Sequence, residues 1–394
     1  MLDELDIYAR KLAAAGLCEP GAPVLGFLDD RLAFNREAPE NAVLAGVFER
    51  MGINSLLWLP LGEPYATIVD FLAGRSGGAI LPRDCETRTF LHDLPVVESF
   101  DAATLAEALS RRKSVIVRGR GVLAHGAVSP EQAFVSASSV CFASFVKFFS
   151  DYLALKREGR SDPAYEAAFH TAKRFLAPPR TVAPELAEGP FETREQALAA
   201  MDAAGKATVG LGLVDSFFGN ISCNLDGVLL ISQTGSSLDE LPDCVDPCHL
   251  DGSSCAGLTA SSELTAHQAI VALTGAGVIL HGHPRFAVIL SMDCDVANCP
   301  DAARCHVDCS RPRFLGERGI LAEIPVVPGE VGTGPRGLVN TLPPAMLGRR
   351  GAVVLGHGLF ATGRTGFREA FDTLLSVENA CREEYFRRVE SFGG

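Results

Sequence analysis

His281 and His283 close the short apolar run Val278-Ile279-Leu280. Such a β-branched and aliphatic run predicts a buried strand, and alternate residues of a strand share a face. Two imidazoles so placed can aim their lone pairs at one point, as zinc requires of ligands on a rigid element. The same pair also suits core or solvated histidines that never meet a metal, so a third donor is needed to decide. His357 is the candidate, because it follows a second apolar run, Ala352-Val353-Val354-Leu355, and Gly356 and Gly358 leave room for a close neighbour. Between strand and N-terminus, Ser261-Ser262-Glu263 reads as a helix start, with serine caps and an acid favoured by the macrodipole.

The elements that must carry these residues are legible in outline. Residues 1–17 predict an amphipathic helix, and Val24 to Leu28 with Arg31 to Phe34 a hairpin about Asp29-Asp30. Glu40 to Met51 predicts a helix closed by Gly52, and Ser55 to Leu61 a strand broken by Gly62-Glu63-Pro64. Ser114 to Val117 is a further strand, and Ser129-Pro130 opens a helix. Ala177-Pro178-Pro179-Arg180-Thr181-Val182-Ala183-Pro184 reads as an exposed connection. Beyond it come a helix from Thr193 to Ala204 and strands at Thr208 to Val214, Ser216 to Ile221 and Gly227 to Ser232.

A chain of 394 residues exceeds one ordinary core, so two domains are expected. The net charge of −13 and the lack of basic runs argue against a nucleic-acid partner. The acidic N-terminus and the lack of a run of about 18 apolar residues argue against a membrane protein, and a cytoplasmic location is expected. Most of the 12 cysteines fall between Cys244 and Cys309, a local cluster rather than a disulfide scaffold.

The two halves repeat one another. Setting Gly119-Arg120-Gly121 on Gly356-His357-Gly358 also brings Gly126 onto Gly363, Ala133 onto Ala370 and Phe134 onto Phe371. Leu61-Gly62-Glu63-Pro64 falls on His281-Gly282-His283-Pro284, Glu40 on Glu263, and Pro95-Val96-Val97 on Pro325-Val326-Val327. On that alignment Leu61, Glu63 and Arg120 replace the histidines. Leucine cannot ligate and arginine brings a fixed cation, so the first copy is expected to bind no metal. The expected division is a degenerate domain over 1–160, a connection over 161–192 and a metal-binding domain over 193–394.

The order Phe218-Gly219-Asn220-Ile221-Ser222, Ile231-Ser232-Gln233-Thr234-Gly235, Ser261-Ser262-Glu263, His281-Gly282-His283, Gly356-His357-Gly358 resembles that of the class II aldolase/adducin family. This family includes fuculose- and rhamnulose-phosphate aldolases, a ribulose-phosphate epimerase and a methylthioribulose-phosphate dehydratase. The resemblance spans about residues 193–385. It implies a three-layer α/β/α domain around a mixed, largely antiparallel sheet, duplicated in this chain. It further implies that His281, His283 and His357 bind zinc or another divalent metal, with Glu263 as catalytic acid/base. Gly219, Asn220, Thr234, Gly235, Ser261 and Ser262 would form a pocket for a substrate phosphate, although each also suits ordinary turn and cap chemistry. His267, four residues after Glu263, reads as structural.

Two departures bear on substrate and cofactors. The aromatic that usually follows the second ligand comes one place late, as Arg285-Phe286. Residues 294–309 are an insertion carrying Cys294, Cys299, Cys305 and Cys309, a set able to hold a structural metal or cluster although its spacing matches no standard pattern. Cys244, Cys248 and Cys255 with His249 can complete a second site or form disulfides. The resulting expectation is a metal-dependent lyase of carbohydrate metabolism, cleaving or forming a carbon–carbon bond in a phosphorylated sugar or related anionic hydroxy-ketone. A sugar-phosphate epimerase or dehydratase and an adducin-like scaffold are the alternatives. Because the resembling single-domain proteins form four-fold tetramers, a two-copy chain is expected to dimerise into a pseudo-four-fold ring.

Overall fold

The structure is a computed structural model describing every residue except 1, 182–183, 216, 252, 254–257, 297–298, 301, 303, 310, 312 and 393–394. The chain forms two compact units, Met1–Pro178 and Pro179–Gly394. The first unit reaches past the expected limit at 160, because the helix Pro163–Phe175 packs within it. Tyr165 donates to the Phe148 carbonyl (2.6 Å), and Phe169 stacks on Tyr152 with ring centroids 3.8 Å apart. Buried aromatics thus claim part of the expected connection over 161–192.

The strands of the first unit are β1 (Val24–Leu28), β2 (Leu32–Phe34), β3 (Ser55–Leu59), β4 (Ala79–Ile80), β5 (Leu94–Val97), β6 (Ser114–Val117) and β7 (Gly121–Gly126). They form one sheet in the order β2-β1-β3-β7-β6-β5-β4. Those of the second are β8 (Asn220–Leu225), β9 (Val228–Ser232), β10 (Val245–His249), β11 (Val278–Gly282), β12 (Arg313–Phe314), β13 (Pro325–Val327), β14 (Gly351–Val354) and β15 (Leu359–Gly363). Their order is β10-β9-β8-β11-β15-β14-β13-β12. Each sheet is antiparallel apart from one parallel pair, β5 with β6 and β13 with β14. Apart from β10, the two orders coincide strand for strand.

Both sheets are covered on both faces, so their central strands are buried throughout. In the first unit Leu56 and Trp58 of β3 pack with Leu44 and Val47 of the helix Asn41–Phe48 and Leu105 of the helix Ala102–Leu109. The helix Pro130–Arg157 lies against β3 and β7. Among the described residues it is the one helix long and apolar enough to cross a membrane, yet 89% of its apolar window is buried in this core. In the second unit Ile279 and Phe360 pack with Ala266 and Ile270 of the helix Leu264–Thr274 and Leu342 of the helix Leu338–Met346. The helix Phe367–Ser391 lies against β11 and β15.

Residues 208–214, expected as a strand, do not form one. The helix Arg194–Gly210 starts from a Thr193–Gln196 capping box and runs through Thr208, whose hydroxyl bonds back to the Ala204 carbonyl (2.7 Å). Gly212, at φ 67, then turns the chain. The next strand begins only at Asn220, and Ser216, its expected start, lies outside the described residues.

Strand register also corrects the expected alignment of the two halves. Ser55 pairs with Gly126 as Val278 pairs with Gly363, and Leu59 with Val122 as Gly282 with Leu359. Trp58 therefore stands where His281 stands, and Pro60 follows where His283 does. Leu61 and Glu63, the positions expected from sequence, fall in a longer connection, residues 60–64 against 283–284. The sequence match there reflects the helix starts, since Pro64 and Pro284 each precede one.

Candidate metal centre and active site

Three elements deliver the histidines to one place. His281 is on β11, His283 follows its last residue, and His357 sits in the turn between β14 and β15, where its N–H donates to the Val354 carbonyl (3.0 Å). The three are buried, and their ligand atoms lie within 4.8 Å of one another, the one such group of histidine, cysteine or acidic residues among the described residues. Gly358 makes the space. A Cβ there would meet His281 Cε1 and His283 Cδ2 at 2.6 Å, and the Gly282 carbonyl oxygen at 2.5 Å. The expected role of that glycine is thus met by direct contact.

The electrostatics favour ligation. Burial, reinforced by the neighbouring histidines, holds His281 and His283 well below the ordinary imidazole pKa, so both are neutral near pH 7. His281 Nδ1 lies 3.1 Å from the Leu359 carbonyl oxygen. A carbonyl only accepts, so Nδ1 carries the proton, and the Nε2 lone pair faces His283 Nε2 across 3.1 Å. Phe360 stacks on His281 at 3.9 Å and Phe218 on His283 at 5.8 Å, fixing the ring planes. Tetrahedral zinc sets its nitrogen ligands about 3.3 Å apart, a spacing that His281 and His283 already have at 3.1 Å, with all three donors within 4.8 Å of one another.

Glu263 ends the turn before the helix Leu264–Thr274, but its side chain makes no cap bond. It turns inward instead. Oε2 lies 3.5 Å from His281 Nε2, and Oε1 lies 3.6 Å from His357 Nε2. Asn220, across the ladder from His281, donates from Nδ2 to Glu263 Oε2 at 2.6 Å. Ser222, two residues along β8, bonds His267 Nδ1 at 2.7 Å. A period-two polar pair on a strand thus meets a period-four pair on a helix, a signal present in the sequence but not read as a match. His267 is fully buried, with its pKa pushed down to about 3 by that burial, in keeping with a structural role.

The residues expected around a phosphate are placed unevenly. Gly219, at φ 90, lies against the His281 carbonyl oxygen, where a Cβ would come within 2.7 Å. Ser261 is buried, and its hydroxyl accepts from the Glu263 N–H (3.3 Å). Thr234, Gly235 and Ser262 are exposed, and the Thr234 hydroxyl donates to the Ala260 carbonyl (2.9 Å). Asn220 is buried, and its amide nitrogen is engaged by Glu263. Cys244, Cys248 and His249 lie in or beside β10, while Cys255 is outside the described residues.

The corresponding corner of the first unit has other chemistry. Trp58 is buried, and the Arg120 guanidinium carbon lies 5.9 Å from its ring centre and 4.3 Å from that of Phe100. Val24 pairs with Trp58 as Asn220 does with His281. Glu40 precedes its helix as Glu263 does, but is half-exposed. Glu63 accepts from the Thr67 hydroxyl (2.7 Å) at the edge of a cavity of about 310 Å³ that Arg120 also lines.

Residues 199–385 match the Class II Aldolase and Adducin N-terminal domain. The second unit of this chain belongs to the class II aldolase/adducin family. No curated protein matches the chain. Among solved structures, L-fuculose-1-phosphate aldolase from Thermus thermophilus is similar at 24% identity over 51% of this chain and 98% of its own, with a TM-score of 0.41. A sugar-phosphate aldolase from Thermotoga maritima is similar at 19% identity over 51% and 97%, with a TM-score of 0.35.

Proposed function

We propose that the second unit is a metal-dependent class II aldolase-like lyase acting on a phosphorylated sugar or related anionic hydroxy-ketone. The observation that carries this reading is the buried Glu263 carboxylate set beside three convergent imidazoles. His281, His283 and His357 would hold a divalent ion, zinc by donor type, which when bound supplies positive charge to a substrate carbonyl and the enediolate developing from it. Glu263 takes and returns the proton. Asn220 orients it by holding Oε2, and the walls of the site keep water from competing for it. Exposed Thr234, Gly235 and Ser262, with Gly219 and Ser261, supply small hydroxyls and backbone amides suited to a phosphate.

The matching strand order supports a second proposal, that the first unit is a duplicated copy that has exchanged its ligands. In this reading two chains close a pseudo-four-fold ring with metal-bearing and metal-free units alternating. Light scattering checks it: a mass near two chains is expected, and a fully active monomer rules the ring out.

Glu263→Gln tests the chemistry. The zinc-loaded variant should keep its metal and lose about 10²- to 10⁴-fold in exchange of the α-proton of a ketose phosphate with solvent. Full exchange would move the base elsewhere. Product analysis separates carbon–carbon cleavage from epimerisation or loss of water, and wild-type protein that binds zinc but turns over none of these substrates would favour scaffolding.

A further inference from the structure

The helix Arg285–Met292 begins two residues after His283 and is buried from Phe286 to Ser291. Its first internal bond runs from the Val288 N–H to the Pro284 carbonyl (3.0 Å), so the N–H groups ahead of it find no acceptor within the helix. Glu378, on the helix Phe367–Ser391, supplies one. Its carboxylate accepts from the Phe286 N–H with both oxygens (3.1 and 2.9 Å) and from the Ala287 N–H (3.1 Å), and its charge suits the positive end of the helix dipole. At the other end the Arg313 guanidinium donates to the carbonyls of Ser291 and of Asp293 (2.9 Å for the latter), and Arg388 pairs with the Asp293 carboxylate at 2.7 Å. Both ends of a rigid bar of eight residues, about 12 Å, are thus fixed. The last turn also reaches toward a second donor. Ser291 is fully buried, and its hydroxyl donates to the Val288 carbonyl (2.7 Å) and accepts from the N–H of Gly356 (2.9 Å), the residue before His357. One helix therefore touches the chain beside two of the three convergent histidines. Cys294, Cys299, Cys305 and Cys309 form no such convergent group among the described residues, so the histidines are the donors to be positioned.

The first unit builds the matching helix, Tyr65–Ala73, with neither device. There Glu63, just ahead in the chain, accepts from the Thr67 N–H (3.3 Å), and Cys141 stands in place of Glu378 when Phe134 is set on Phe371. Phe71 takes the place of Ser291 when Pro64 is set on Pro284, and it packs on Phe148 and Tyr165. The same strand order is thus reached without these bonds, which accompany the histidines. We propose that the helix Arg285–Met292 is a bracket for the metal centre, with Glu378 and Ser291 as positioning residues that set the spacing of His283 and His357. The inference rests on the metal-binding reading given above. Glu378 acts through the helix start that follows His283, and Ser291 through the amide that precedes His357. Groups that hold ligands in place in this way tune metal affinity without touching the ion.

Zinc affinity of the full-length chain, measured by competition with a chromogenic chelator, tests this without recourse to turnover. Ser291→Ala and Glu378→Gln should each bind zinc about 10- to 100-fold more weakly than the wild type. Thr208→Val removes a buried hydroxyl bond of the same kind elsewhere in the unit and should leave the affinity unchanged. Releasing either end of one bar frees the spacing, so the loss in Ser291→Ala/Glu378→Gln should be smaller than the product of the single losses. Wild-type affinity in either single variant overturns the bracket, as does an equal loss in Thr208→Val or a double-variant loss that reaches the product. Should Glu378→Gln fail to fold, Ser291→Ala against Thr208→Val decides. Failure of the metal centre itself shows separately, as a His281→Ala/His283→Ala variant that binds zinc as tightly as the wild type, and it overturns both readings.

Discussion

The Trp58 corner of the first unit and the His281 corner of the second share strand order, register and a helix beginning after a glutamate, yet differ at nearly every side chain that could do chemistry. Where the second unit buries His281, the first buries Trp58; opposite Asn220 stands Val24, and in place of His357 stands Arg120. A buried indole contributes favourable transfer energy, about 2–3 kcal/mol, whereas the burial of an imidazole must be offset by hydrogen bonds or a ligand. The first corner is therefore stable for reasons of packing. The second buries three imidazoles and a carboxylate together, a set of donors suited to a cation.

The comparison can be broken most severely by writing the first unit's residue into the second. His357→Arg removes a lone pair and adds a fixed charge, so metal should be lost and turnover should fall by about 10³-fold or more, while the circular dichroism of the fold is kept. Retained metal would mean that His357 is not a ligand. Asn220→Val copies Val24. Glu263 would lose the donor on Oε2, and kcat should drop about 10- to 100-fold with zinc content unchanged. A loss confined to KM would assign Asn220 to substrate rather than to Glu263.

The smallest effect concerns pH. His267 has a folded-state pKa of about 3, below the ordinary 6.5, so the unfolded chain takes up the proton first. Its neutral burial costs nothing above about pH 6.5 and destabilises the second unit increasingly below it, by about 2 kcal/mol at pH 5. Leu44 takes this place in the first unit, four residues after Glu40 as His267 is after Glu263. His267→Leu with Ser222→Ala should flatten the acid limb of second-unit unfolding, followed by hydrogen exchange. An unchanged limb would place the acid sensitivity elsewhere.

The convergence of His281, His283 and His357 was legible because strand ends and glycine turns are short-range features, and a residue pair at i and i+2 needs no knowledge of distant contacts. The expected strand at Thr208 to Val214 failed because β-branched residues mark strands only on average, and a helix with a strong capping box ran through them. The three-residue slip in the alignment of the two halves had a different origin. Leu61 to Pro64 resembles His281 to Pro284 at the helix starts, whereas the histidine positions follow the ladder, and only cross-strand pairing reveals that. The bond of Asn220 to Glu263 likewise joins two elements far apart in the chain, so resemblance pointed to a phosphate where the structure gives a carboxylate.

Gly121 and Gly358 open the same hairpin strand, and both are pressed against a carbonyl of the neighbouring strand: an added Cβ would come within 2.3 Å of the Leu59 oxygen in one unit and 2.5 Å of the Gly282 oxygen in the other. The demand for glycine is thus a property of the backbone, present whether or not histidines crowd beside it. The residue just before it is mounted on the same turn in both units, exposed as Arg120 in the first and buried as His357 in the second. The same backbone turn thus holds out a fixed positive charge to solvent in one unit and turns an imidazole inward in the other.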